Sequence, residues 1–264
     1  MTTYVLPILI FAVLGLLAGV LLTVASKVFE VKTDERIEQI GEILPQANCG
    51  ACGYVGCGDY AAAIVEKGAP TNLCKPGGVD AAVGISGVMG TAALETVPEI
   101  AVLHCNGNCE ATKKSFDFNG VQSCAAAKRF YGGNGICKYG CIGLGDCANV
   151  CDRNAIAIVN GIAQVTPSLC AACGQCVKAC PNHLLSVRPV TKHIDVRCSS
   201  KDAGKATKLA CKNGCIGCKI CEKKCVSGAI TVTDFHASID YAKCTGCGAC
   251  YEACPVGAIT NCES

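Results

Sequence analysis

Tryptophan is absent from the 264 residues, and tyrosine and phenylalanine supply only seven and six. Aromatic side chains bury the most area per residue, so their scarcity excludes an ordinary aromatic-rich core. The hydrophobic share of 51% leans on Ala, Val and Cys, which bury little each. Charge is thin as well, at 17% with a formal net charge of +2. That leaves no basic face large enough for nucleic acid and no acidic bias of the disordered kind. No P-loop, flavin signature or catalytic triad is visible, and the four histidines, His104, His183, His193 and His236, are scattered. They read as surface or packing residues. GLGDCA at 143–148 fits a loose dinucleotide fingerprint, but it lies inside a cysteine loop with no strand before it, so no direct NAD or flavin site is expected.

What the chain has instead is cysteine, 26 residues, beside 30 glycines. So many thiols mean a disulfide scaffold or metal, and compartment and spacing decide between them. No charged side chain occurs from Met1 to Ser26, and residues 4–28 carry only Lys27. A secretory signal needs a basic leader and a short apolar segment; this stretch has no basic leader, and about 20 apolar residues suit a bilayer. Residues 1–28 are therefore expected to form one uncleaved transmembrane helix in the cell membrane, in contact with lipid, a buried soluble helix being the alternative. The first positive charges, Lys27 at the end of the span and Lys32 and Arg36 after it, place the bulk of the chain in the cytoplasm by the positive-inside rule. Thiols stay reduced there, which favours metal.

After the span, residues 33–44 place Ile37, Ile40, Ile43 and Leu44 at helical spacing behind acidic residues, as a short amphipathic helix would. Residues 79–100 are rich in Gly and Ala, lack cysteine and are closed by Pro98; they read as a hinge or weak helix. Beyond them the chain repeats. An offset of 74 positions lays Cys124, Cys137, Cys141, Cys147, Cys151, Cys170, Cys173, Cys176 and Cys180 on Cys198, Cys211, Cys215, Cys221, Cys225, Cys244, Cys247, Cys250 and Cys254. The one mismatch is Leu144, where the second copy has Cys218.

Each copy holds CAACGQCVKACP or CTGCGACYEACP, the run C-x2-C-x2-C-x3-C-P, in which three cysteines hold one [4Fe–4S] cluster and the fourth holds its neighbour. Applied crosswise, the run gives four sets: Cys137, Cys141 and Cys147 with Cys180; Cys170, Cys173 and Cys176 with Cys151; Cys215, Cys218 and Cys221 with Cys254; Cys244, Cys247 and Cys250 with Cys225. In the first set Cys137 replaces the cysteine missing at Leu144. Zinc would need paired CxxC motifs and leaves the third cysteine and the distal CP without a reason. Residues 152–165 and 226–239 read as a helical turn and a β-hairpin. Cys49, Cys52, Cys57 and Cys74, a Gly-rich loop and then a helix near 60–67, suit a fifth cluster. Cys105, Cys109 and Cys124 offer three thiolates to a sixth without an evident fourth. Cys198, Cys211 and Cys262 have no assigned duty.

In this order the modules, with CGACGYVGCGDYAAAI and LCKPGG followed by CKYGCIGLGDC and CKNGCIGCKICEKKC, resemble the B subunits of Rnf complexes in their longer form. The resemblance covers essentially the whole chain, and the order of modules is more specific than any single one. Its expected fold is α+β: one N-terminal transmembrane helix (1–28), a small [4Fe–4S] module (29–78), the hinge (79–100), and two tandem bacterial-type ferredoxin-like units (101–190, with a cysteine-rich lead-in, and 191–264). The resemblance implies the electron-transfer subunit of an ion-translocating ferredoxin:NAD+ oxidoreductase, exchanging electrons with soluble ferredoxin and with the other Rnf subunits in the membrane. It also matches Cys49, Cys52, Cys57 and Cys74 to that family's N-terminal cluster module. Asp152 and Val226 depart from it, standing where the family usually has the proline of the run; no ligand is lost.

Five clusters in one chain suit a wire that needs no acid or base of its own. The hinge is expected to swing the membrane-proximal cluster towards its acceptor. Five oxidised clusters move the formal charge from +2 to about −8, so docking of an acidic ferredoxin falls to local lysines, Lys201, Lys205, Lys208 and Lys212. A membrane-anchored polyferredoxin of a hydrogenase or reductase complex, or a protein whose clusters are only structural, are the competing readings.

Overall fold

The structure is a computed structural model that describes residues 2–28 and 34–262. Lys32, counted above as a flanking charge, and Thr33, the expected start of the second helix, lie outside the described residues. The first element, α1, is Thr2–Val28, 27 residues long. Its described side chains, Leu9 and those of residues 11–25, are almost all exposed and join none of the protein's cores. Among the described residues no helix is long and apolar enough to cross a membrane. The transmembrane reading of residues 1–28 is thus not established by the structure, although the helical backbone runs the full 27 residues.

Three helices build the N-terminal module. In α2 (Glu35–Ile43) the Asp34 side chain caps the first turn by accepting from the Arg36 amide. The others are α3 (Cys57–Lys67) and α4 (Gly78–Met89). Ile40, Leu44, Tyr60, Ile64 and Ile85 form their core. The Tyr60 hydroxyl donates to the Pro70 carbonyl at 2.7 Å and accepts from the Leu73 amide at 3.1 Å, and burial pushes its pKa up to about 12. Of the two readings of residues 79–100, a hinge or a weak helix, the structure has a helix over Gly78–Met89. Ala81, Ala82, Ile85 and Ser86 of α4 are buried, the small side chains letting the helix lie close against α2, where a Cβ at Gly84 would come within 3.1 Å of Ile43. What remains of the linker is pinned too: Asn72 Nδ2 donates to the Glu95 carbonyl at 3.1 Å and Lys75 pairs with Glu99 at 2.9 Å.

The first ferredoxin-like unit runs β1 (Glu99–Leu103), α5 (Cys124–Tyr131), α6 (Asp146–Asn149), β2 (Ile156–Val159), β3 (Ile162–Val165), α7 (Gln175–Ala179) and β4 (Leu185–Pro189). The second runs β5 (Ile194–Val196), α8 (Gly204–Ala210), α9 (Ile220–Lys224), β6 (Ile230–Thr233), β7 (His236–Ile239), α10 (Ala249–Glu252) and β8 (Ile259–Asn261). In each, the outer strands pair antiparallel, Leu103 opposite Leu185 and Val196 opposite Ile259. The inner strands form the expected hairpins, turned through Asn160-Gly161 and Asp234-Phe235, all four with positive φ as a type I′ turn demands. Both cores mix small aliphatics with thiols: Ile156, Ile162 and Leu184 with Cys147 and Cys176, then Ile230, Val232 and Ile259 with Cys215, Cys221 and Cys250. Among the described residues no aromatic side chain enters either core.

The units are joined by a buried ion pair. Arg188 of β4 donates to both carboxylate oxygens of Asp195 of β5 at 2.7 and 2.8 Å, and the Tyr241 hydroxyl donates to Asp195 at 2.7 Å. His104 spans the same seam, within 2.8 Å of the Val196 carbonyl and 2.6 Å of the Ser186 hydroxyl.

Candidate metal centres

Among the described residues no three His, Cys, Asp or Glu side chains close on a single-ion point; in the first ferredoxin-like unit and at its seams the thiols line cavities instead, and no cysteine is in a disulfide. In the N-terminal module Cys57 begins α3, its amide held by Asn48 Oδ1 at 2.8 Å. Burial raises the pKa of Cys74, and the neighbouring thiols of Cys57, Cys52 and Cys49 push the same way. A Cβ at Gly77 would come within 3.1 Å of the Cys74 sulfur, so this glycine keeps the approach to the thiol open.

In all four runs of the ferredoxin-like units, the residue before the short helix is left-handed: Gly145 (φ 87°), Gly174 (74°), Lys219 (61°) and Gly248 (78°). That twist turns the loop so that the second helical residue, Cys147, Cys176, Cys221 or Cys250, points into the core, where each is buried. Burial pushes Cys176 up to about 11, with Cys170, Cys173 and Cys151 adding to the shift. It does the same to Cys221, whose neighbours are Cys215, Cys218 and Cys254. Cys250 is raised by burial with Cys244 and Cys225 beside it, and Cys247 is exposed on the intervening loop.

The first set differs from its sequence reading. Cys141, Cys147 and Cys180 line one cavity, but the fourth thiol there belongs to Cys124, at the start of α5. Burial pushes Cys147 up to about 11, and Cys124 and Cys180 stand nearest it. Cys137 lines a different cavity, with Cys105, Cys198 and Cys211. The trio Cys105, Cys109 and Cys124 is likewise not brought together: Cys105 and Cys124 line separate cavities, and Cys109 packs on the first hairpin, its sulfur 2.7 Å from where a Gly161 Cβ would stand. Cys262 follows β8, its sulfur 3.4 Å from the Thr260 hydroxyl.

Backbone amides approach the thiols as they do ligand sulfurs in iron–sulfur proteins: Ala155 to Cys151, Ala101 to Cys170, Leu184 to Cys180 and Gly246 to Cys244, all at 3.4 Å. The thiol sets, their apolar surroundings and these donors fit [4Fe–4S] clusters. The N-terminal set lies against the first unit, for Gln175 Nε2 and Lys178 Nζ both donate to the Cys49 carbonyl at 3.3 Å, and Cys49 shares a cavity with Cys151, Cys170, Cys173 and Cys176.

Known proteins show the same modules. A family model for an Fe-S cluster matches residues 44–76, and the 4Fe-4S binding domain matches 163–186 and 237–260. The B subunit of the ion-translocating oxidoreductase complex of Methanosarcina acetivorans is 42% identical, over 89% of this chain and 90% of that one. The chain belongs to the family of B subunits of ion-translocating, Rnf-type oxidoreductase complexes. Other members are the B subunits of a Na(+)-translocating ferredoxin:NAD(+) oxidoreductase complex from Acetobacterium woodii, 38% identical over 90% of this chain and 72% of that one, and of a proton-translocating one from Clostridium ljungdahlii, 36% identical over 91% and 85%. Members of this one family thus carry names with different coupling ions.

The place of Cys124 is what sequence spacing missed. Its signal was the gap at Leu144 together with Asp146, whose carboxylate accepts from the Ser123 hydroxyl and from the Cys124 and Ala125 amides at 2.9–3.0 Å and so ties α5 to the run.

Proposed function

We propose that this chain relays electrons between a soluble ferredoxin and the membrane subunits of an ion-translocating ferredoxin:NAD+ oxidoreductase. Five [4Fe–4S] sets serve it: Cys49, Cys52, Cys57 and Cys74; Cys124, Cys141, Cys147 and Cys180; Cys151, Cys170, Cys173 and Cys176; Cys215, Cys218, Cys221 and Cys254; Cys225, Cys244, Cys247 and Cys250. When bound, such clusters exchange one electron each at potentials set by hydrogen bonds and exposure. The chain's own part is to hold the thiolates, keep water from them with small aliphatic side chains, and direct amide dipoles at the sulfurs. The observation that carries the reading is the shared cavity of Cys49 with Cys151, Cys170, Cys173 and Cys176, because it brings the N-terminal module against the first ferredoxin-like unit. It favours a fixed path over a swinging arm.

Entry of electrons at the second unit is supported by Lys201, Lys205, Lys208 and Lys212, all exposed around α8, a positive face for an acidic partner. Reduced ferredoxin should bleach the cluster absorbance in anaerobic stopped flow, and Lys205→Glu with Lys208→Glu should slow this about tenfold at low salt; an unchanged rate overturns the docking face. The same proposal puts α1 in the cell membrane with the remaining residues on the cytoplasmic side, supported by the absence of charge before Lys27. Removing residues 1–28 should release the chain from membranes into the soluble fraction in a partition assay.

A further inference from the structure

Four cysteines that the five sets leave over meet where the two ferredoxin-like units join. Cys105, Cys137, Cys198 and Cys211 line one cavity, as Cys124, Cys141, Cys147 and Cys180 line another. The four are contributed two by two in matching positions. Cys105 follows β1 by two residues and Cys198 follows β5 by two, and the strands end at equivalent places, since Leu185 and Ile259 opposite them are themselves one repeat apart. The Cys105 sulfur accepts from the Gly107 amide at 3.4 Å and the Cys141 amide at 3.3 Å; the Cys198 sulfur accepts from the Ser200 amide at 3.5 Å and the Cys215 amide at 3.2 Å. Cys137 and Cys211 stand four residues before Cys141 and Cys215, each closing a turn through its carbonyl to the Gly140 or Gly214 amide.

Buried thiols can act simply as small apolar side chains, and two observations speak against that here. A Cβ at Gly107 would touch both the Cys105 and Cys211 sulfurs, at 3.5 and 3.6 Å, so the thiols face a common space. Arg197, which lines the same cavity, has a buried Nε with no hydrogen-bond partner among the described residues, a costly arrangement unless something accepts it. A cluster with four thiolates carries about −2 charge and accepting sulfides, which answers both the cation and the unmet donor.

We propose that Cys105, Cys137, Cys198 and Cys211 hold a sixth [4Fe–4S] cluster across the junction, with two thiolates from each unit. The inference rests on the electron-transfer reading above and extends it: an electron passing between the units crosses their seam here, each reduction on one side matched by an oxidation on the other. The seam is built for it, because Asn213 Nδ2 donates to the Asn106 carbonyl at 3.0 Å, the Thr112 hydroxyl to the Ala210 carbonyl at 2.7 Å, and Arg197 to the Cys105 carbonyl at 3.3 Å.

The test is iron and acid-labile sulfide per full-length chain, purified anaerobically, with EPR of the reduced protein. Six clusters give about 24 of each and five give about 20. The intact chain should carry about 24, Cys211→Ala should lose about four of each with one set of EPR signals, and Cys109→Ala should lose none. A count of about 20 in the intact chain overturns the sixth site while leaving the five-cluster relay standing. Iron unchanged in Cys211→Ala overturns it as well. Should that variant fail to fold, the count in the intact chain still decides.

Discussion

The two ferredoxin-like units share one repeat and solve the same problem differently. The second takes three thiols from one compact run, Cys215, Cys218 and Cys221. The first has Leu144 at the middle position, and Cys124, on a helix inside a long insertion between β1 and Cys137, lines the cavity of Cys141, Cys147 and Cys180. The second unit has no room for that helix, since α8 begins soon after β5. Asp146, which anchors α5, stands where the second unit has Ile220. In the proposed sets the number of thiols is kept, while the segment that supplies them is free to change, because a thiolate need only arrive in space.

That comparison can be broken most directly at the exchanged ligand. Cys124→Ala should remove about four irons per chain, and adding Leu144→Cys should restore them by giving the first unit the compact run of the second. Retention of all iron in Cys124→Ala, by iron assay, would end the comparison. A smaller effect tests the seam. Arg188→Ala should lower stability by about 3–5 kcal/mol by leaving the Asp195 carboxylate buried and unpaired, whereas Cys262→Ser, at the position one repeat on from Arg188, should stay within about 0.5 kcal/mol; denaturation midpoints of anaerobic protein measure both. The smallest effect concerns the turn at Lys219, the one left-handed helix start of the four that is not glycine. Lys219→Gly should stabilise the second unit by about 1 kcal/mol, and Gly145→Lys should cost the first unit a comparable amount, by the same measurement.

Much of this is legible in the sequence. The crossed grouping of Cys151 with Cys170, Cys173 and Cys176, and of Cys254 with Cys215, Cys218 and Cys221, follows from spacing, and the structure brings these thiols together. The hairpins at 156–165 and 230–239 are equally visible, because alternation over short runs around a tight turn is a local signal. Residues 79–89 look like a hinge because Gly and Ala carry weak helical and apolar signals; only their burial against Ile43 and Thr71 makes α4 part of a core. Spacing gives Cys137 to the nearest gap in the chain, and a short separation along the sequence is a poor guide to which cavity its sulfur faces.

By itself the sequence determined that the chain is built of cysteine runs in a tandem repeat, with a charge-poor leading segment and interiors made of thiols and small aliphatics. Spacing fixes those features because a tight loop with three converging sulfurs is a local geometry. Tertiary structure alone decided which thiol joins Cys141, Cys147 and Cys180 around one cavity and which four meet at the seam between units. Those sites are closed by residues such as Cys105 and Cys211, far apart along the chain, and only the packing of one unit on the other brings them face to face.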